Sequence, residues 1–273
     1  MATKALVEDY YDAHAEAEQR RLDEARLEYE ITKRIINTCI TSLEIQHANI
    51  IDIGGGPGRY AIRLAQQGHK VILNDLSSKN LTIAKTNAQT AGVVLEDVVH
   101  ANALDITLHA APASFDIVLC LGPLYHLTLL EERERVVSNA LALAKPGAYV
   151  MLAYVTVFGH LRDVARRDPA RLVSEWGFYE KYVRTGVYDR RSDNESFHVY
   201  PRDVERELKC VKGGAEVVKM VSCEGFLGFD TARALAGAGD EEMERWVDVV
   251  MQSADHPHTF SSAEHLVVVL KKF

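Results

Sequence analysis

Short apolar runs alternate with amphipathic stretches through the middle of the chain. Asn49-Ile50-Ile51-Asp52-Ile53 is the first such run, and a glycine cluster follows it at once. That pattern predicts a buried strand closing in a tight turn. Tyr60 to Gln67 reads as a helix stopped by Gly68, and Lys70 to Asn74 as a second strand. Ser77 is placed to cap a helix through Ala91, with Leu81, Ala84, Ala88 and Ala91 on one face and Gly92 as its stop. The third strand falls within Val94 to His100. Phe115 to Leu121 is a fourth, apolar nearly throughout and hence covered on both faces. Leu129 to Ala144 reads as helix, Lys145-Pro146-Gly147 as a turn, and Tyr149 to Val155 as a fifth strand. Strands and helices alternating at this spacing predict a parallel sheet with right-handed crossovers.

The two ends of the chain differ from this middle. Residues 3–42 read as two helices, and Leu22, Ala25, Tyr29 and Ile36 mark the inner face of the second. The alternation breaks near Phe158. Residues from there to 200 are charged and aromatic, the composition of an insert. Pro201 starts another helix, and Glu216 to Cys223 and His265 to Lys271 are two further strands. An acidic helix around Asp240 to Met251 separates them. The predicted organisation is a helical cap (1–44), a Rossmann-like α/β core (45–157), an inserted substrate lid (158–200) and the remainder of the core (201–273). The sheet has seven mostly parallel strands with helices on both faces.

At 273 residues, 47% of them hydrophobic, the chain can bury a sizeable core. The formal net charge of −8 argues against a nucleic-acid partner, which calls for a basic face. Cys39, Cys120, Cys210 and Cys223 are scattered, without a C-x-x-C pair, which fits a reducing, cytoplasmic setting. The charged N-terminal residues carry no secretory signal, and no apolar run approaches a membrane span.

The chemistry concentrates in Asp52-Ile53-Gly54-Gly55-Gly56-Pro57-Gly58. Glycines at a strand end let the backbone turn and approach a ligand closely. A nicotinamide fingerprint, G-x-G-x-x-G, needs its third glycine at position 59, where Arg59 stands. An acid two residues before the glycines also repels a pyrophosphate and suits a ligand with an amine and a positive charge. Asp75, 17 residues past Gly58, is placed to accept hydrogen bonds from ribose hydroxyls. Asn102-Ala103, after the third strand, is either an adenine-reading pair or an ordinary polar loop.

As a set, IIDIGGGPGRYAIRLA, VILNDLS, HANALDI, FDIVLCLGPLYHL and LALAKPGAYVMLAY resemble the class I S-adenosylmethionine-dependent methyltransferases. The resemblance covers about residues 45 to 155 and is to the type 11/12, ubiquinone-biosynthesis-like branch. It implies S-adenosyl-L-methionine as cofactor. Asp52, Gly54, Gly56 and Gly58 would cradle its methionine part, Asp75 its ribose, and Leu76 with Asn102-Ala103 its adenine. Leu121 would offer a backbone carbonyl. Many relatives have Asp where Asn102 stands. EHLVVVLKK resembles the fold's seventh strand, usually antiparallel.

The resemblance leaves the acceptor open. His126, in LGPLYH, is the candidate general base, since imidazole titrates near neutral pH; a structural histidine is the competing reading. LGPLY stands where nucleobase amino-methyltransferases carry an Asn/Asp-Pro-Pro-aromatic motif, which argues for a small-molecule acceptor, as in secondary metabolism. Tyr11, Tyr125, Trp176, His198 and Tyr200 are candidates for the substrate pocket. Aromatic Phe178, Tyr179, Tyr182 and Tyr188, with Arg166, Arg167, Arg171, Arg184, Arg190 and Arg191, make the insert either an anion-anchoring lid or, the reading favoured, packing with solvated arginines. His256-Pro257-His258, with His265, lacks metal-ligand spacing and reads as a surface loop; no metal is expected. Other functions compatible with parts of the pattern are an NAD-type oxidoreductase and a non-methylating binder of the same cofactor. The helical cap and acidic C-terminal helix are compatible with a homodimer.

Overall fold

The computed structural model of the protein describes residues 7–15, 24–190 and 195–273. Helices α1 (residues 7–15) and α2 (Arg26–Ser42) precede β1 (Asn49–Ile53). There follow α3 (Arg59–Gln66), β2 (Lys70–Asp75), α4 (Ser78–Thr90), β3 (Asp97–His100), β4 (Phe115–Cys120), α5 (Leu130–Leu143) and β5 (Ala144–Val155). The insert holds α6 (Val157–Arg167), α7 (Arg171–Ser174), α8 (Trp176–Thr185) and a ribbon of β6 (Val187–Tyr188) with β7 (Ser196–Phe197). The chain returns through α9 (Val204–Glu207) to β8 (Ala215–Ser222), α10 (Gly228–Ala234), α11 (Asp240–Met251) and β9 (His265–Lys272).

Seven strands form one sheet in the order β3-β2-β1-β4-β5-β9-β8. β1 to β5 pair in parallel, and β9 is antiparallel to both β5 and β8. Because side chains alternate along a strand, the sheet divides the core in two. Ile51, Ile53, Val118, Cys120, Val150 and Leu152 meet α5 and Phe260 on one face. Ile50, Ile117, Leu119, Met151, Val267 and Val269 meet α2, α3, α4 and α11 on the other. The strands are apolar at every position because helices cover both faces.

Three expectations need correction. The buried stripe of α2 is Leu27, Ile31, Ile35, Ile36 and Ile40. Of the residues expected there only Ile36 belongs to it. Ala25 is the N-cap, Tyr29 lies half-buried, and Leu22 falls outside the described residues. Leu27, Ile31 and Ile35 recur at four-residue spacing and form the more apolar stripe, so burial selects them. Second, Lys145-Pro146-Gly147 does not separate helix from strand. β5 starts directly at Ala144, and the turn survives as a bulge: Phe115 and Ile117 pair with Ala144 and Tyr149, so residues 145–148 loop out. Third, Pro201 opens only a short 3₁₀ turn (Pro201–Asp203) that runs into the four-residue α9.

Two features position what lies at the strand ends. Gly54, past β1, has φ +69°, and a Cβ there would stand 2.7 Å from the Pro123 ring. A Cβ on Gly122, past β4, would stand 2.8 Å from the Gly54 carbonyl oxygen. The two turns can therefore touch only as bare backbone. Behind them Arg133 and Glu207 form a bidentate buried pair, Nε–Oε2 at 2.6 Å and Nη2–Oε1 at 3.2 Å. Arg133 Nη1 also donates to the Leu127 carbonyl at 2.8 Å, and its guanidinium lies 3.5 Å from the Phe197 ring centre. One side chain thus joins α5, the segment after β4, the insert and α9.

Two stability predictions follow from these contacts. Glu207→Ala leaves the Arg133 guanidinium buried and uncompensated and is expected to cost about 3–5 kcal/mol in urea unfolding. Gly122→Ala is expected to cost about 1–3 kcal/mol through overpacking. Gly177→Ala in α8, where nothing lies within 4 Å of the added Cβ, is expected to cost nothing measurable. Equal loss in the two glycine variants would show that the Gly54–Gly122 approach is not what constrains the turns.

Candidate functional site

Strand order reverses between β1 and β4, and open α/β sheets bind ligands at such a point, beyond the carboxyl ends of the strands. A cavity of about 240 Å³ opens there. Gly54, Gly56, Asp75, Leu76, Asn102 and Ala103 form one end of it. Tyr125 and His126, on the 3₁₀ turn after β4, form another wall, and Val7 and Tyr11 of α1 cover it.

The glycine turn is tied to the end of β2. Gly54 and Gly55 N–H groups donate to the Asn74 carbonyl at 2.8 and 3.0 Å, and Gly56 N–H donates to Asp75 Oδ2 at 2.8 Å. Asp75 Oδ1 accepts from Ser77 N–H at 2.8 Å. This carboxylate therefore shapes the turn while it lines the cavity. Asp52 lies beneath the turn and does not line the cavity. It is 1% exposed, its Oδ2 has no hydrogen-bond partner, and a Cβ on Gly55 would collide with it. The backbone N–H of Ala61, in the first turn of α3, bonds its carboxyl group. Burial first, then the charge of Asp75, pushes the Asp52 carboxyl up to about 7 against the pull of that N–H.

Gly58 serves helix packing: it is the N-cap of α3 with φ +84°, set against Ala84 and Ile62. The Leu121 side chain packs into the core on the α2 face of the sheet. Asn102 caps the 3₁₀ turn Ala103–Leu108, its Oδ1 accepting from Leu104 N–H at 2.9 Å. Its Nδ2 donor remains for a ligand, together with the second lone pair of Oδ1.

Sequence reasoning missed Asn80. It lines the cavity from the first turn of α4, is 2% exposed, and its Oδ1 has no hydrogen-bond partner. Its Nδ2 lies 3.4 Å from Asp75 Oδ1, which orients the amide so that the acceptor is left over. An Asn in the first turn of a helix is ordinary, so no local signal marked it. Glu132, in the first turn of α5, was missed as well.

Helix α1 is held over the cavity at three places. Tyr11 OH and His126 Nε2 share a hydrogen bond of 2.7 Å. Asp12 accepts from Ser77 and Ser78 hydroxyls and from Lys79 N–H at the N-terminus of α4. Burial raises the Asp12 carboxyl, but the bonds from Ser77, Lys79 and Ser78 outweigh it and hold the group below its ordinary range. Glu8 Oε1 lies 3.1 Å from His100 Nε2, which also reaches the Leu76 carbonyl at 2.8 Å.

Three candidates stand apart from the cavity. Trp176 is largely exposed on the insert. The Tyr200 hydroxyl donates to the Val183 carbonyl at 2.9 Å. His198 is enclosed by Tyr182 OH at 2.6 Å and Ser196 Oγ at 3.1 Å, and burial pushes it down to about 3, so it is neutral. The aromatic residues of the insert pack on one another around His160 rather than over the strand ends. Its arginines are mostly paired within reach: Arg166 and Arg167 with Asp163, Arg171 with Asp168, Arg190 with Glu175. Arg184 donates to the Glu180 carbonyl, and Arg191 lies outside the described residues.

His265 is not part of a surface loop. It opens β9 with Nδ1 2.9 Å from the buried Glu224 carboxylate. Burial lowers it, yet Glu28 and Glu224 carry it up to about 10. His256 and His258 are exposed. Among the described residues no His, Cys, Asp and Glu group has metal-holding geometry, and no helix is long and apolar enough to cross a membrane.

Residues 51–152 match the family described as the methyltransferase domain. Over 119 residues the chain is 30% identical to the tRNA 5-carboxymethoxyuridine methyltransferase of Escherichia coli (strain K12), covering 42% of this chain and 43% of that protein. Over 105 residues it is 30% identical to the ubiquinone biosynthesis O-methyltransferase of Sodalis glossinidius (strain morsitans), covering 38% and 40%. The matches thus span less than half the length of these curated relatives. The magnesium protoporphyrin IX methyltransferase of Synechocystis PCC 6803, solved with bound SAH, superposes with a TM-score of 0.62 at 15% identity, covering 99% of each chain. Residues 51–152 are thus similar to the methyltransferase domain, and the chain shares its fold with solved methyltransferases that use S-adenosylmethionine.

Proposed function

We propose that the protein transfers a methyl group from S-adenosyl-L-methionine to oxygen or nitrogen of a small molecule. The cradle at the strand ends carries this reading. A bare-backbone turn faces the Asp75 carboxylate, and two buried acceptor atoms, Asp52 Oδ2 and Asn80 Oδ1, stand without partners there. Unsatisfied buried acceptors beside a cavity suit a ligand rich in donors and positive charge. S-adenosylmethionine is such a ligand, and when bound it supplies a methyl group activated on a sulfonium.

In this reading Asp75 accepts from the ribose hydroxyls, and Leu76 and Ala103 flank the adenine, with Asn102 at its edge. Gly54 and Gly56 let the methionine part approach the backbone. Asp52 acts through its charge from beneath the turn, and Gly58 and Leu121 hold the surrounding packing. His126 Nε2, bonded to Tyr11 in this structure, receives the proton that an O–H or N–H acceptor gives up. Tyr11 and Tyr125 wall the acceptor. The positioning of reactants, not metal or covalent chemistry by the protein, carries the acceleration. A small acceptor fits the roof formed by α1, which a nucleic acid would have to displace, and the net charge of −8 repels a phosphate backbone. The oxidoreductase reading loses support at Arg59, whose guanidinium stacks 4.0 Å from the Tyr29 ring centre at the start of α3.

Calorimetric titration with S-adenosylhomocysteine is expected to show tight binding that Asp75→Asn weakens, and no binding of NADH. NADH binding, or none by either, would overturn the reading. The Asp52 carboxyl adds a pH signature. Raised to about 7, it is neutral below that pH and charged above it, so cofactor affinity is expected to rise between pH 6 and 8. Without ligand the sign is opposite for folding. The native state holds this proton more tightly than the unfolded chain, so stability falls as pH climbs from about 4 through 7. Asp52→Asn is expected to flatten both profiles. With an acceptor in hand, His126→Asn is expected to lower kcat about 10²- to 10⁴-fold while S-adenosylhomocysteine affinity is retained; an unchanged kcat would remove His126 as the base.

A further inference from the structure

The charged groups around the cavity are one-sided. Among the described residues no Lys or Arg lines it, and the carboxylates that do are Asp75 and Glu132. Asp75 is turned inward, bonded to Gly56, Ser77 and Asn80. Glu132 is different. It is half-buried in the first turn of α5, beside Thr128 and Leu129 of the segment after β4, and has no hydrogen bond or ion pair among the described residues.

Among the described residues, the arginines next to it on α5 are committed elsewhere. Arg133 is bound to Glu207 and Arg135 to Asp105. Of the described insert arginines, Arg166, Arg167, Arg171 and Arg190 pair with acids and Arg184 with a backbone carbonyl, and none of them lines the cavity. A partly desolvated carboxylate facing a cavity is costly unless a ligand satisfies it. The neighbouring walls are apolar or neutral hydrogen-bonding groups, so nothing there favours an anion.

We propose that Glu132 sets acceptor specificity, and that the cavity takes a compact acceptor carrying an ammonium or guanidinium group. The inference rests on the methyltransferase reading above and names the acceptor class for that site. Size supports the word compact: about 240 Å³ lies at or below the small end of ligand pockets, and cofactor and acceptor must share it. Glu132 anchors the cation, and a second group of the acceptor meets the methyl donor near His126. The acceptor's lone pair forms the new bond to the methyl carbon as the carbon–sulfur bond breaks toward sulfur, and the acceptor's proton leaves to His126.

The test uses the full chain saturated with S-adenosylhomocysteine and two matched ligand series measured by ligand-observed NMR and calorimetry. Tyramine and phenethylamine carry an ammonium; 3-(4-hydroxyphenyl)propanoate and 3-phenylpropanoate carry a carboxylate on a similar arm. The amines are expected to bind at least about tenfold more tightly than the acids, the scale of one charged hydrogen bond. Glu132→Gln, nearly isosteric at a half-buried position, is expected to erase about 10- to 100-fold of that preference, with S-adenosylhomocysteine affinity unchanged. Equal binding, preference for acids, no binding of either series, or a preference that survives Glu132→Gln would overturn the proposal. Weaker S-adenosylhomocysteine binding in Glu132→Gln would also overturn it, by assigning the carboxylate to the cofactor. A wild-type chain that binds no S-adenosylhomocysteine would instead sink the reading on which the inference rests.

Discussion

The approach of Gly122 to the Gly54 carbonyl governs the functional end of this molecule. It brings the turns after β1 and β4 into backbone contact, which no side chain at either position would permit. Two consequences are built into that contact. The strand ends stay close enough to share one cavity, and the Asp52 carboxyl is shut beneath the turn with one oxygen unsatisfied. Sealing an acid there costs stability in the free protein. That cost has a use if the ligand is a cation, because the field of a buried carboxylate is screened little by solvent.

Buried charge elsewhere in the fold is treated in the opposite way. Arg133 and Glu207 satisfy each other, and the remaining donor of Arg133 is spent on the Leu127 carbonyl. Glu224 accepts from the backbone of Glu264 and His265 and from the His265 ring. These groups hold separate segments of chain together and have little capacity left for a ligand. Asp52, Asn80 and Glu132 each keep an acceptor unanswered, and all three lie in or directly beneath the region where the strand ends open. Completeness of hydrogen bonding thus separates the buried carboxylates: Glu207 and Glu224 are answered, and Asp52 Oδ2 is not.

Much of this was legible in the sequence, for identifiable reasons. Strand and helix alternation follows from local periodicity, and Asp75 stood out because an acid closing an apolar strand has few structural uses. The stop and cap signals at Ser77, Gly68 and Gly92 act within a few residues and were read closely. What failed depended on distant partners. Which stripe of α2 is buried is decided by the sheet it meets, and His265 looked like part of a histidine-rich loop because Glu28 and Glu224 are remote in sequence. His198, Trp176 and Tyr200 drew notice as aromatic or titratable groups in an insert, but the insert packs around His160, and His198 is bonded within it by Tyr182 and Ser196. Asn80 and Glu132 escaped because an isolated amide or acid on a helix is ordinary until the cavity is known.

Helix α1 adds the last constraint. Its attachments fall on the framework of the cavity itself: Asp12 on the N-terminus of α4, Glu8 on His100, which also bonds the Leu76 carbonyl, and Tyr11 on His126. The bond with Asp12 gains from the exposed amides and positive dipole end of α4. The roof is therefore held by the elements that build the Asp75 end of the cavity, β2 with α4, and Tyr11 carries it to His126. Any ligand that reorients His126 must also renegotiate the Tyr11 hydrogen bond. Acceptor entry and roof closure are coupled through that hydrogen bond, while the anchoring at Asp12 can stay in place.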